Sequence, residues 1–401
     1  MSSGESPPPI DPHTLAGTNS LSSRPLRVAL VTGSYNYIAD GVALTLNRLV
    51  GYLLKQGVEV LVLAPVGKTA ALAHQGELVP VASMPIPLRP EYRLALGLPR
   101  ASRARLEAFG PDVLHIATPD FMGRAAARLG RANGWPTVAS YHTRYETYLQ
   151  YYGMQALAGV AERWFAGFYN GCAEIFVPSP SMAEVLGVSG VTQPIRLWSR
   201  GVDTQRFDPA RRSSDWREQR GVGADEVLVA FVSRLVKEKR LDDFAAAIDQ
   251  LRARGAKLRP LIVGEGPERT QLYRRLPDAL FEGFLTGEDL AVAYASADVF
   301  LFPSDTETFG SVTLEAMASG LPTVCADATG SRSLVDHGVT GFLTPVGDVA
   351  AISEAVGRLV DDPGLRATMG AAARRRSLRF SWDEAMASVL ARYRALASSA
   401  E

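Results

Sequence analysis

Cysteine is scarce: Cys172 and Cys325 are the only two, and each sits in an apolar stretch far from the other. That excludes a disulfide framework, offers no zinc ligand set and fits a reducing cytoplasm. Long apolar runs are missing as well, since none approaches the roughly 20 residues that span a bilayer. An excess of one charge is also absent: 42 Lys plus Arg face 42 Asp plus Glu, for a net charge of +0. A nucleic-acid binder is normally basic overall, so no nucleic-acid partner is expected. Residues 1–24 lack the basic start and apolar core of a signal peptide. They are rich in Ser, Pro and Gly, and read as a disordered lead-in.

What is present is 47% hydrophobic residues over 401 positions, enough for real cores. At roughly 100–200 residues per domain, two domains are expected. The apolar run from Leu26 to Val31 reads as a strand. Gly41 then opens a stretch with Val42, Leu46, Leu49, Val50 and Leu53 at helical spacing, stopped by Gly57, and Val58–Leu63 is the next strand. This β-loop-α-β order predicts a parallel sheet. Further strands are expected at 112–116, 137–141, 174–177 and 195–198, with helices at 121–133 and 158–172. A polar stretch from Ser199 to about Gly223 has no sustained periodicity, and the alternation then restarts. Strands are expected at 227–232, 259–263, 299–302 and 322–325, with helices near 242–254, 288–297 and 311–318. Ser381 and Glu384 fit a capping box for a last helix. The expected division is therefore 25–200, 201–381, and a final helix within 382–401.

The densest chemical signal runs from Pro303 to Pro322. An apolar strand ends at Pro303, and a polar loop containing Gly310 leads into a helix. Ligands of open α/β sheets bind beyond the carboxyl ends of the strands, and helix amides there hold phosphate oxygens. The main chain around Phe309, Gly310, Ser311 and Val312 is thus suited to an anion. Glu307 and Glu315 are eight residues apart, a little over two turns, so they can reach different parts of one extended ligand. Carboxylates accept hydrogen bonds from vicinal hydroxyls, which sugars and ribose both offer. Glu315 also lies among Val312, Leu314, Ala316 and Met317, where an idle carboxylate would be costly.

A second signal is Ser233–Arg240, which begins where the strand 227–232 ends. It places Arg234 and Lys239 where cations could stabilise a departing diphosphate. Lys237 and Arg240 read as surface. In Gly264-Glu265-Gly266-Pro267-Glu268-Arg269 the sixth position is Arg269 and Pro267 intervenes, so the pattern fails as a dinucleotide fingerprint and reads as a tight strand-to-helix turn. In the first half, Asp40-Gly41 opens the first long helix, and His142 follows the strand 137–141.

These motifs resemble glycosyltransferase family 4, whose members have the GT-B fold: an α/β architecture of two facing, Rossmann-like, doubly wound parallel-sheet domains. Pro303–Pro322 is similar to the family's Glu-x7-Glu segment, Arg234 and Lys239 to its diphosphate-binding pair, and Arg200-Gly201-Val202-Asp203 to its interdomain stretch. The resemblance implies a retaining glycosyltransferase that uses a nucleotide diphosphate sugar, with an N-terminal acceptor domain and a C-terminal donor domain. It implies that Glu307 contacts hydroxyls of the transferred sugar, that Glu315 holds the ribose diol, and that Gly41 approaches the donor phosphate. By the same resemblance His142 orients or polarises the sugar, and the final helix crosses back onto the first domain. Family members often have a second glycine where this chain has Asp40. No Asp-x-Asp metal motif occurs, so no metal and no other cofactor is expected.

The chain looks most like branches that make glycolipids, including GDP-mannose-dependent mannosyltransferases and sulfolipid synthases. The donor would carry GDP or UDP, and the acceptor would be a lipid or a glycan. Arg100, Arg103 and Arg105 near Leu96 and Leu98 suit an anionic membrane surface, as do Tyr141, Tyr145, Tyr148, Tyr151 and Tyr152 with Leu149 and Met154. A solvated helix face and a packed loop explain them equally well. The expected location is cytoplasmic, with peripheral contact at the inner membrane face. A soluble polysaccharide acceptor and a non-catalytic nucleotide-sugar binder are the alternatives.

Overall fold

The computed structural model describes residues 24–86, 89–142 and 158–399. Within these, the chain builds β1 (Arg27–Val31), β2 (Glu59–Pro65) and β3 (Glu77–Val81), then a hairpin of β4 (Met84–Ile86) and β5 (Arg89–Leu94). Next come β6 (Val113–Ile116), β7 (Thr137–Ser140), β8 (Glu174–Val177) and β9 (Ile195–Leu197). All but the hairpin join one sheet in the order β3-β2-β1-β6-β7-β8-β9, with every pairing parallel. A second parallel sheet has the order β12-β11-β10-β13-β14-β15. Its strands are β10 (Val227–Val232), β11 (Leu258–Val263), β12 (Leu280–Gly283), β13 (Val299–Phe302), β14 (Thr323–Ala326) and β15 (Gly341–Thr344).

Each sheet is doubly wound, and in each the direction of strand addition reverses beside the first strand laid down. The reversals fall between β1 and β6 and between β10 and β13. Crevices open at the carboxyl ends of the strands at such points. The loops after β1, β6 and β7 carry Asp40, Thr118 and His142; those after β10 and β13 carry Arg234, Lys239 and Glu307. Topology thus gathers residues that the sequence scatters over more than 260 positions.

Burial explains why the strands read as continuous apolar runs. β10 is buried at all six positions, because helices cover both faces of its sheet. The last helix, Trp382–Ser398, starts on Ser381, whose hydroxyl accepts from the Glu384 amide. Its Ala385, Met386, Val389, Leu390 and Tyr393 are buried in one cluster with Val28, Leu30, Leu46 and Leu49 of the N-terminal half. The helix therefore packs on the first sheet, although it follows the second in sequence.

The structure adds elements that periodicity did not predict: β3, the β4–β5 hairpin, β12, β15 and the helices Arg100–Phe109, Pro180–Val188, Val349–Asp361 and Pro363–Ser377. Short strands give little periodic signal, whereas Val349–Asp361 does carry Ile352, Ala355, Val356 and Leu359 at helical spacing. The polar stretch expected to be irregular contains a short helix, Ser214–Gln219, capped by Ser213. No helix among the described residues is long and apolar enough to cross a membrane.

Candidate active site

The loop after β13 reaches the helix Ser311–Ala318 through Gly310, at φ +94°, a conformation that disfavours any side chain. No side chain caps this helix. Its first amides and the positive end of its dipole are therefore offered to the cleft. Ser311 is exposed and Val312 half-buried. Phe309 differs: its ring is buried and meets Phe380 edge-on at 6.0 Å, so only its main chain is available to a ligand.

Glu307 forms an ion pair with Lys239, and both side chains are largely shielded from solvent. Ser304 Oγ adds a donor at 3.3 Å to the same carboxylate oxygen. The Glu307 carbonyl accepts from Thr329 Oγ1 at 2.6 Å and from the Gly330 amide at 2.8 Å, so the loop is pinned by the helix Thr329–Leu334. Lys239 and Glu307, expected to touch leaving group and sugar respectively, are paired with each other. Arg234 lies exposed on the same side. Its loop is seated by the turn at Gly264 and Gly266. A Cβ on Gly264 would fall 1.9 Å from the Ser233 carbonyl oxygen, and one on Gly266 would fall 2.2 Å from that of Leu235. Those glycines thus serve to place Arg234. Arg240 is not the plain surface residue expected: at φ +55° it is half-buried and donates to Asp243 at 2.6 Å.

Glu315, one face along the helix, is partly exposed to the cleft. Tyr294 Oη donates to it at 3.3 Å. Burial pushes its carboxyl from 4.5 up to about 7, against the pull of that bond and of Arg48 and Arg206. This is a carboxylate that gains by acquiring hydroxyl donors.

In the N-terminal half, Asp40 turns its carboxylate back onto the helix Gly41–Lys55, accepting from the Ala43 amide at 2.8 Å. Ser34 Oγ lies 3.3 Å from it. The side chain is an N-cap, which settles its orientation; burial raises its carboxyl pKa, while Arg234 across the cleft lowers it. A Cβ on Gly41 would meet nothing within 4 Å. Any demand for glycine there comes from outside the chain.

His142 is buried at the end of β7. Its ring nitrogens face Ser140 Oγ at 2.8 Å and the Arg200 guanidinium at 3.2 Å. Its carbonyl accepts from Thr308 Oγ1 at 3.0 Å, a bond from the loop after β13 to the N-terminal half. Ser179 Oγ donates to the Thr308 carbonyl at 2.8 Å beside it. Burial and the neighbouring Arg200 hold the imidazole far below its usual pKa, hence neutral.

Sequence reasoning missed several of these participants. Arg200 was noted only as part of a connecting stretch, yet it is buried, reaches Thr45 Oγ1 and the Gly41 carbonyl, and keeps its charge with a pKa lowered to about 10 by burial. An arginine in a polar run gives no sign that it will be buried. Tyr294 and Ser140 were equally silent inside apolar elements. The basic cluster is partly neutralised: Arg103 pairs with Glu107 and Arg105 with Glu77. Of the aromatic run, Tyr141 is buried against Tyr169, while Tyr145, Tyr148, Leu149, Tyr151, Tyr152 and Met154 lie outside the described residues.

Residues 39–206 match the family description "Glycosyltransferase Family 4", and residues 213–376 match "Glycosyl transferases group 1". The chain is 36% identical over 378 residues to a GDP-mannose-dependent alpha-mannosyltransferase of Mycobacterium tuberculosis, covering 92% of this chain and 97% of that one. It is 32% identical over 391 residues to the sulfoquinovosyl transferase SQD2 of Arabidopsis thaliana, covering 94% and 74%. Among solved structures it resembles sucrose-phosphate synthase from Thermosynechococcus elongatus, with TM-score 0.76, 22% identity and coverage of 93% and 100%. It also resembles WaaG, a glycosyltransferase involved in lipopolysaccharide biosynthesis, with TM-score 0.66, 17% identity and coverage of 90% and 98%. The fold is GT-B.

Proposed function

The chain belongs to glycosyltransferase family 4, and on that premise we propose that it moves a hexose or uronate, with retention, from a GDP- or UDP-sugar to a membrane glycolipid acceptor. It is a nucleotide-sugar glycosyltransferase. The observation that carries the finer reading is the grouping of Glu307, Lys239 and Glu315 around the uncapped helix Ser311–Ala318.

In this reading the helix amides and Arg234 take the diphosphate, and Glu315 takes the ribose diol. Lys239 exchanges Glu307 for phosphate oxygens as the donor enters. Glu307 is then released to bind sugar hydroxyls. Charge develops on the diphosphate as the glycosidic bond breaks, and fixed cations there lower the barrier. The leaving oxygens take the acceptor proton on the same face, so no carboxylate pair of the kind used by retaining hydrolases is required. We propose that no metal takes part, Arg234 and Lys239 supplying the positive charge. His142 lines the sugar's side of the cleft.

A lipid acceptor is supported by the glycolipid enzymes among the relatives, such as the alpha-monoglucosyldiacylglycerol synthase of Streptococcus pneumoniae. It is also supported by an apolar groove of about 480 Å³ between the hairpin and the segment Leu96–Pro99. Met84, Leu94, Leu96 and Leu98 line it, and Leu96 is 68% exposed. Exposed Arg100 stands at its edge, suited to an anionic membrane surface at the inner face.

The test is incubation with UDP- and GDP-sugars, one at a time, with extracted membrane lipids and EDTA. Release of nucleotide diphosphate and a lipid heavier by one hexose or uronate are expected, both lost in Glu307→Ala. Turnover with soluble glycans alone would overturn the lipid acceptor, and loss of activity in EDTA would overturn metal independence.

A further inference from the structure

We propose that Ser140, His115 and Tyr393 form a positioning relay that fixes His142 as its Nε2–H tautomer and locks its ring beside the donor site. The inference rests on the reading that His142 lines that site.

The direction of the chain follows from donor chemistry. A guanidinium only donates, so Arg200 at 3.2 Å makes His142 Nδ1 an acceptor. The proton of neutral His142 must then sit on Nε2, where it donates to Ser140 Oγ at 2.8 Å. The serine hydroxyl proton is left for His115 Nε2, 2.9 Å away. His115 therefore carries its own proton on Nδ1, which donates to Tyr393 Oη. Each of the three bonds between Arg200 and His115 has one consistent orientation.

Every member is buried. His115 is fully enclosed, and burial lowers its pKa to about 3, so it stays neutral. The rings are wedged by aromatic edges: Trp198 lies 5.3 Å from His142 and 5.8 Å from His115, and Phe176 lies 5.8 Å from His115. The two ends come from the two chain crossings. Arg200 comes from the connection between the sheets, and Tyr393 from the helix that returns to the first sheet. One crossing thus ends on the imidazole of His142 and the other on that of His115, with Ser140 between them.

A consequence is that neither ring nitrogen of His142 is available as a general base. What it presents is a ring edge and a carbonyl, the latter now held by Thr308 Oγ1. Second partners that fix a histidine tautomer typically matter by roughly tenfold or more.

The experiment combines ¹⁵N NMR of histidine-labelled protein with kinetics on Ser140→Ala and Tyr393→Phe. The expected spectrum has His142 as Nε2–H and His115 as Nδ1–H, both neutral and untitrated from about pH 5 to pH 9, given their burial. Each variant is expected to lower kcat roughly tenfold with donor KM changed less than twofold, and to alter the His142 signals. His142 found protonated or as the Nδ1–H form would overturn the relay. So would unchanged kcat and unchanged His142 signals in both variants. If the wild-type protein turns over no donor, the functional reading falls, whereas the spectrum still decides the relay.

Discussion

Glu315 receives Tyr294 Oη at 3.3 Å and is pushed up to about 7 by burial. Because the folded value lies above the ordinary one, its contribution to stability is fully present below about pH 4.5 and is lost as pH rises through about 7. A ribose diol favours the ionised form. Nucleotide binding should then release a proton near neutral pH, and donor KM should rise as pH falls below about 7. Calorimetry in two buffers of different ionisation enthalpy measures the proton, and Glu315→Gln should abolish both effects. At Glu307 the chemistry is more severe. Glu307→Gln keeps the shape but weakens the pair with Lys239, and kcat/KM should drop by roughly 10²-fold or more. Steady-state kinetics with an unchanged circular dichroism spectrum would confirm it. Both glutamates were legible in the sequence by their spacing, and Glu315 also by its apolar setting. Lys239 was legible only as a cation at a strand end, because its partner 68 residues on is fixed by the pairing of β10 with β13.

Two helix starts face the cleft, and they are built differently. Gly41–Lys55 has its own anionic cap in Asp40, whereas Ser311–Ala318 has none. The uncapped start is the better phosphate site, since its amides are unspent. Asp40→Ala should cost about 1 kcal/mol of stability, while Asp40→Asn should keep the cap and tighten donor binding by removing a charge that faces Arg234. Thermal melts and nucleotide titrations on the two variants separate these effects. Gly310→Ala forces a side chain into a left-handed conformation at a cost of about 1–2 kcal/mol. Its Cβ would also stand 3.3 Å from Leu334 Cδ1. Nucleotide affinity should fall about tenfold as the helix start shifts, a change that titration calorimetry reads. Asp40 appeared in the sequence as an anion near a phosphate site. Its turn onto Ala43 is a local capping event that a sequence of Asp followed by Gly and apolar residues could have signalled.

The whole molecule depends on the chain crossing between its halves twice. The returning helix buries Val389, Leu390 and Tyr393 against the first sheet, and Arg392 and Arg196 both clasp the nearly buried Glu174. Each fully buried large apolar side chain is worth about 1.5–3 kcal/mol, so removing the helix costs much of the 5–15 kcal/mol typical of a folded protein. Truncation after Phe380 should leave the first half unfolded or aggregated, as proteolysis and calorimetry would show. Leu390→Ala should cost about 2–5 kcal/mol while leaving the donor residues in place. Between the halves, Ser181 Oγ lies 2.8 Å from Ser333 Oγ and Ser179 donates to Thr308. With the Thr308 Oγ1 bond to the His142 carbonyl, these polar bonds join the two halves among the described residues.

The sequence by itself determined the two parallel-sheet halves, because strands buried on both faces need short continuous apolar runs and such runs recur between helical stretches. It also singled out Glu307, Glu315, Arg234 and Lys239 as candidate site residues, because their motifs are continuous in the chain. The tertiary structure decided which charges meet: Lys239 with Glu307, Arg200 with His142, Arg392 with Glu174. It decided as well that His142 ends a buried chain of hydrogen bonds reaching Tyr393. Such pairings join residues up to 278 positions apart. They follow from strand order and from one returning helix, neither of which leaves a local trace in the sequence.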